Sequence, residues 1–485
     1  MLTIQTPKLR KSVLGLALAA SVATLSSCAG GSGDGNGGSE NNAGVDTRGV
    51  TTESLRTSAT TGMTQGITAN TRALTTVLGD SSALQQLTSQ LGSGGGASSV
   101  STSARALGDG PNGLDTDSVS TQIDSALDFV GELIDQSDIS QNGNVYTFDP
   151  VEAQICANAE DSQAAADCTT VLSHITFVMM VNSVVDQQVV AATTAFKYDN
   201  NTFVIVDFSA NSGYYEVQLA GLRTLLAGLN EVAPADEVIE LPSTMQGTLR
   251  VAFTTTGSDS GTLTVSVPAA IRLTDDTEGE ALQIDIAQTN QLFSLAADGT
   301  AKTMTVEVNI SALDLLSSES DVAGSFPVKL ALSGITGKAV VTDSGDKLTL
   351  TGIGADSVTV KVENTQAASL SLAAFDAVLD ASGANAVANF SKALDFNLSL
   401  TNLRGIFSDI FESDDPALTL VASVDAPGNT GFETVGDELL KVTGGTLDIV
   451  ITQDGADDIN VSVPDGSCLD TSGDAPVASS CLVAN

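Results

Sequence analysis

The sequence predicts a mainly β protein with helices, built as an antiparallel, meander-like curved sheet or open barrel covered by amphipathic helices. Three observations predict it. Segments of alternating apolar and polar residues recur from about Asn144 onward, polar turn sequences join many of them, and helical periodicity is concentrated in residues 51–140 and a few short interruptions.

The chain opens with Lys8, Arg10 and Lys11, followed by an apolar run from Val13 to Thr24. That run has the h-region character of a secretory signal and is shorter than the roughly 20 residues a spanning helix needs. Leu25-Ser26-Ser27-Cys28 follows it and resembles the lipobox of bacterial lipoproteins, a resemblance covering residues 1–28 only. It implies a signal peptide of residues 1–27, cleavage before Cys28, and a lipid on that cysteine that anchors the protein to a membrane. In that family an aspartate after the cysteine favours inner-membrane retention. Ala29 stands there, which implies the outer membrane, with the body on the periplasmic or cell-surface side. The alternative is an ordinary signal peptide cut near Ala20 or Ala23, which would leave Cys28 a free thiol.

Residues 28–50 read as the lipidated cysteine and a flexible tether, because from Ala29 to Gly44 the chain is almost all Gly, Ser, Asn and acidic residues, with little to bury. In residues 51–140, Met63, Ile67, Leu74, Val77, Leu78, Leu84, Leu87 and Leu91 recur at helical spacing. A second stripe, Val119, Ile123, Leu127, Val130 and Ile134, has Asp124, Asp128, Glu132 and Asp135 facing away. Residues 141–466 form the β-rich body. "MTVEVNI" (Met304 to Ile310) alternates perfectly, and "ALQIDIA", "KLTLTGI", "SVTVKVE", "LDFNLSL", "ALTLVASV", "TLDIVIT" and "INVSV" repeat the pattern. "TTGSDSG", "TDSGDK" and "TQDGADD" supply hairpin turns. Short helices are expected at "VQLAGLRTLLAGLNEV", at "SLAAFDAVLDA" around Phe375, and at "NLRGIFSDIFES" around Phe407.

Cys156, Cys168, Cys468 and Cys481 are an even set in an exported chain, which reads as disulfides. Three pairings are possible, and the two local ones, the second closing a tail of residues 467–485, are expected. With no Cys-x-x-Cys and one histidine, redox and transition-metal sites have little support.

The chain carries 59 acidic and 19 basic residues, and loss of the signal leaves 16 bases, a net charge of −43. Such a surface repels nucleic acid and anionic headgroups, so no nucleic-acid partner is expected. His174, in the apolar segment "VLSHITFVMM", reads as a satisfied core or edge histidine. No nucleophile elbow, HExxH or phosphate-cradling loop occurs. Calcium is the one cofactor with candidate ligands, namely Asp275, Asp276, Glu278 and Glu280 in one run and Asp454, Asp457 and Asp458 in another. Neither follows a known loop spacing, and solvated turns explain both.

These readings make the chain a non-enzymatic, lipid-anchored protein whose body binds an apolar ligand such as a lipid. A structural or surface-interaction lipoprotein without a small-molecule ligand is the alternative, and a carboxylate-based hydrolase is a third. No family resemblance is evident for residues 45–485.

Overall fold

The computed structural model describes residues 45–47, 49–56, 58, 133–158, 162–233, 238–239, 241–256, 260–275, 281–298, 300–318, 328–342, 347–362, 365–380, 386–401, 420–435, 439–453, 457–470 and 476–481. They form mostly antiparallel β-sheet arranged as a large meander. The chain divides into two compact units, with the break after Leu273.

Unit 1 contains strands β1 (Ser137–Asn142) and β2 (Val145–Pro150), helix α1 (Glu152–Ile155) with a 3-10 turn (Cys156–Asn158), and helix α2 (Ser162–Leu172). Strands β3 (Ile175–Val185), β4 (Gln188–Tyr198), β5 (Asn201–Phe208) and β6 (Ser212–Gln218) follow, then helix α3 (Leu219–Glu231), β7 (Thr244–Thr255) and β8 (Gly261–Asp275). From β1 to β7 each strand pairs antiparallel with the next in chain order. Asp186 and Gln187, and again Asp199 and Asn200, take positive φ in two-residue turns, the twist that closes a tight hairpin.

The alternation predicted for these strands puts Phe177, Met179, Val181, Phe196, Val206 and Phe208 on one face, each almost fully buried. Leu222, Leu225, Leu226 and Leu229 of α3 join the same core, so "VQLAGLRTLLAGLNEV" is helical as its spacing requires. Residues 52–56 and 133–135 are also helical, and Leu55, Leu133 and Ile134 are buried in that core. The other stripe residues named in the N-terminal region, Met63 to Leu91 and Val119 to Val130, lie outside the described residues.

Unit 2 begins with β9 (Ala281–Ile286) and β10 (Thr289–Asp298) and is dominated by four long strands. These are β11 (Thr303–Ser318), β12 (Val328–Thr342), β13 (Lys347–Val362) and β14 (Thr365–Asp380). At about 3.3 Å per residue they run roughly 50 Å, well beyond ordinary strand length. Both flanks fork. β11 pairs with β10 through Thr303–Val308 and with β9 through Leu313–Ser318. β14 pairs with β15 (Val387–Phe390) through one end and with β16 (Leu394–Leu400) through the other.

One branch continues from β15 to β18 (Gly431–Val435), β19 (Leu439–Thr443), β22 (Cys468–Asp470) and β23 (Val477–Ser479). The other continues from β16 to β17 (Leu420–Ala426), β20 (Leu447–Gln453) and β21 (Ile459–Val463). Phe432, Val442 and Leu469 of the first branch meet Ala426, Leu447 and Val463 of the second in a separate small core.

Two sequence expectations change here. "SLAAFDAVLDA" is strand, not helix, because both ends of β14 are held in ladders on both sides. The helix preference of its alanines is weaker than the loss of those hydrogen bonds. "KLTLTGI" and "SVTVKVE", which look like two strands, are one strand, β13, passing through a bulge. "NLRGIFSDIFES" lies outside the described residues.

Candidate functional site

The middle of the long strands shows how their length is accommodated. Gly334 of β12 and Gly352 of β13 both have φ near +60°, and the registers of β12–β13 and β13–β14 slip around them. The positive φ at Gly334 favours glycine, and a Cβ there would force the Asp356 carboxylate aside. Asp376 of β14 ties the bend: one carboxylate oxygen accepts the Gly352 N–H at 2.7 Å and the other meets Lys392 Nζ at 2.7 Å. The Lys392 hydrogen bond, and then the Gly352 N–H, hold its carboxyl below the usual aspartate range. The apolar positions shift by one residue at this level. β11 carries Met304, Val306, Val308 and Ile310 before it and Leu313 and Leu315 beyond it.

The registers align apolar residues across the strands into continuous rows. Beyond the bend, Ile286 of β9 faces Leu313, which faces Leu332, Val358, Leu370, Leu398, Ala422 and Ile451 in turn. Before it, Leu295 faces Val306, Ala339, Leu350 and Ala377, then Phe390. Phe375, Phe390 and Phe432 form an aromatic chain with ring centroids 5.3 and 5.4 Å apart. Most alternate residues are polar, with Lys329 and Asp314 paired at 2.7 Å among them, while Ala331, Val421 and Val450 interrupt them and the two valines are exposed. Every member of the first row is half-buried, in contrast to the fully buried core face of unit 1. This is an extended apolar face that the described residues cover only in part.

In unit 1 the face turned away from the core carries a polar network. Asn182 Nδ2 donates to Thr193 Oγ1 at 2.9 Å, and Thr193 donates to Asp207 Oδ2 at 2.6 Å. Asp207 lies opposite Tyr214 on β6. The Arg250 guanidinium stacks 4.4 Å above the Tyr214 ring and binds Glu216 through Nε at 2.8 Å and Nη2 at 2.5 Å. Burial pushes the Asp207 carboxyl up, against the pull of the Thr193 bond and of Arg250. Burial, reinforced by Asp207, also raises the Tyr214 phenol.

His174 sits at the α2–β3 junction, not in the core. Its Nδ1 is 2.6 Å from Asp199 Oδ1, with both side chains about half exposed, and its ring is 5.5 Å from that of Tyr198. Ser173, its neighbour, donates to the Thr170 carbonyl at 3.0 Å. The disulfides join Cys156 to Cys168 and Cys468 to Cys481, the local pairing.

Of the calcium candidates, Asp275 is half-buried at the end of β8, and Asp457 and Asp458 are exposed ahead of β21. Asp276, Glu278, Glu280 and Asp454 lie outside the described residues, as does Cys28. Among the described residues no three His, Cys, Asp or Glu side chains converge to hold a metal. The unit 1 network had no sequence signal of its own, because polar residues alternating with apolar ones read as an ordinary solvent face. No family model, curated protein or solved structure matches the chain.

Proposed function

We propose that the protein is an exported, non-enzymatic lipoprotein, anchored through Cys28 to the outer membrane, whose unit 2 holds the apolar chain of a lipid. In this reading the bent strands form an open trough, and amphipathic segments of the chain cover it. The observation that supports it is the apolar face crossing β9, β11 to β14, β16, β17 and β20, whose side chains stay half-buried where a finished core would bury them.

The test is expression of the mature body with Cys28→Ser, native mass spectrometry, and organic extraction of the purified protein. A copurifying apolar molecule at stoichiometric level supports the carrier. An empty, compact protein overturns it in favour of a structural or surface-interaction role. Radiolabelled fatty acid, incorporated by the unmodified chain and lost in Cys28→Ser, tests the anchor separately.

A further inference from the structure

The geometry points to a second binding site, on the outward face of unit 1: a cradle for an amphiphile with an ammonium head, in which Asp207 is the counter-ion and Met180 and Val178 lie under the chain. It does not depend on the reading of unit 2.

The registers set the residues side by side. Met180 of β3 faces Thr193 of β4, which faces Asp207 of β5, which faces Tyr214 of β6. In the adjacent row Val178 faces Ala195, Ile205, Glu216 and Arg250 in turn. Neighbouring strands are about 4.8 Å apart, so Met180 lies roughly 10 Å from Asp207. One side of the face is therefore polar and the other apolar. Met180 is 37% exposed, one of the few large hydrophobic side chains exposed among the described residues.

The charge balance selects the head. Arg250 is engaged in two hydrogen bonds by Glu216, which is 7% exposed, and the pair is close to neutral. Asp207 is left with a Thr193 hydroxyl on one oxygen and no hydrogen bond to the other among the described residues. A half-buried carboxylate without a full partner is costly unless it is protonated or meets a cation. An ammonium group supplies both the charge and donors for the open oxygen. A sulfate or phosphate head would meet a site of net negative charge and be repelled.

The experiment titrates the mature Cys28→Ser chain with dodecylammonium, butylammonium and dodecyl sulfate below their micellar concentrations, by calorimetry and tyrosine fluorescence. Dodecylammonium is expected to bind saturably, at least tenfold more tightly than either of the other two. Asp207→Asn should weaken it at least tenfold, while Asp199→Asn, which removes an exposed charge in the same unit, should leave it unchanged. Equal loss in both variants would mean general attraction to an acidic protein and would overturn the proposal. So would equal affinity for dodecyl sulfate, or an undiminished Asp207→Asn. Thr193→Val, which frees Asp207 from its positioning bond, is the second variant should Asp207→Asn fail to fold. It is expected to reduce affinity several-fold, and full affinity in it would likewise count against the site.

Discussion

Two glycines of α3, Gly221 and Gly228, lie seven residues apart on the same edge of its leucine stripe and face the sheet, and replacing either by alanine opposes two physical effects. Alanine in a helix interior is favoured over glycine by about 1 kcal/mol. A Cβ on Gly221, however, would lie 1.9 Å from the Thr202 carbonyl oxygen, a backbone atom of β5 that cannot rotate away. To reach ordinary contact α3 must withdraw by about 1.5 Å, and a gap of even 0.5–1 Å forfeits about a quarter to a half of the packing attraction. Leu222, Leu225, Leu226 and Leu229 are all buried beneath it, and burying each stabilises by about 1.5–3 kcal/mol. Losing a quarter of that, the least such a gap implies, costs about 1.5–3 kcal/mol. After the helix-propensity gain, Gly221→Ala should be destabilising by at least about 0.5–2 kcal/mol.

The assay is urea unfolding followed by tyrosine fluorescence. The chain has no tryptophan and four tyrosines, Tyr146, Tyr198, Tyr214 and Tyr215, all within unit 1, so the signal reports that unit alone. The midpoint should fall by at least about 0.3–1 M. Gly228→Ala should cost less, because its Cβ would meet the end of the Tyr198 side chain, not backbone. A Gly221→Ala midpoint at or above that of the unmodified protein would refute the packing argument and leave helix propensity as the controlling term.

Removing the Cys156–Cys168 bridge, which links positions 12 residues apart, should destabilise unit 1 by about 3 kcal/mol, read as a lower midpoint of the same tyrosine transition. Asp207→Asn should stabilise unit 1 near pH 7. The Asp207 pKa is raised on folding, so its unfavourable charging sets in as pH rises above the unfolded value and is absent below it. The advantage of the variant should therefore close as pH falls below about 4, and a constant advantage at all pH values would rule out charge burial as its cause. Asp376→Asn carries the opposite sign. The lowered Asp376 pKa stabilises the protein above the unfolded value, and that contribution is lost as pH falls through the folded one. Because the ion pair is partly exposed, about 0.5–1 kcal/mol is expected at neutral pH, read by far-UV circular dichroism as a shift to lower urea in the loss of strand signal with the tyrosine transition of unit 1 unmoved.

Much of the β framework was legible because it is local. Strand alternation has a period of two whatever lies around it, and "MTVEVNI" could hardly satisfy a helix. The strands that flank "TDSGDK" and "TQDGADD" pair antiparallel with each other, as the turn residues between them in the sequence predict. The disulfides were readable for the same reason, since each pair closes a short loop. Phe375 was misread because alanine and leucine at mixed spacing suit a helix, and only the partners on either side of β14 decide otherwise.

By itself, then, the sequence determined the predominance of strands, the pairing of the cysteines and the helix at Leu219–Glu231, all of which depend on neighbours within a dozen or so residues. Tertiary structure alone decided that β13 runs through its glycine bend as one strand, that the unit 2 row from Ile286 to Ile451 stays half-buried, and that Asp207 is desolvated beside Tyr214. Burial and pKa depend on the atoms brought close from other strands, and the order of residues along one strand does not encode how much water those neighbours exclude.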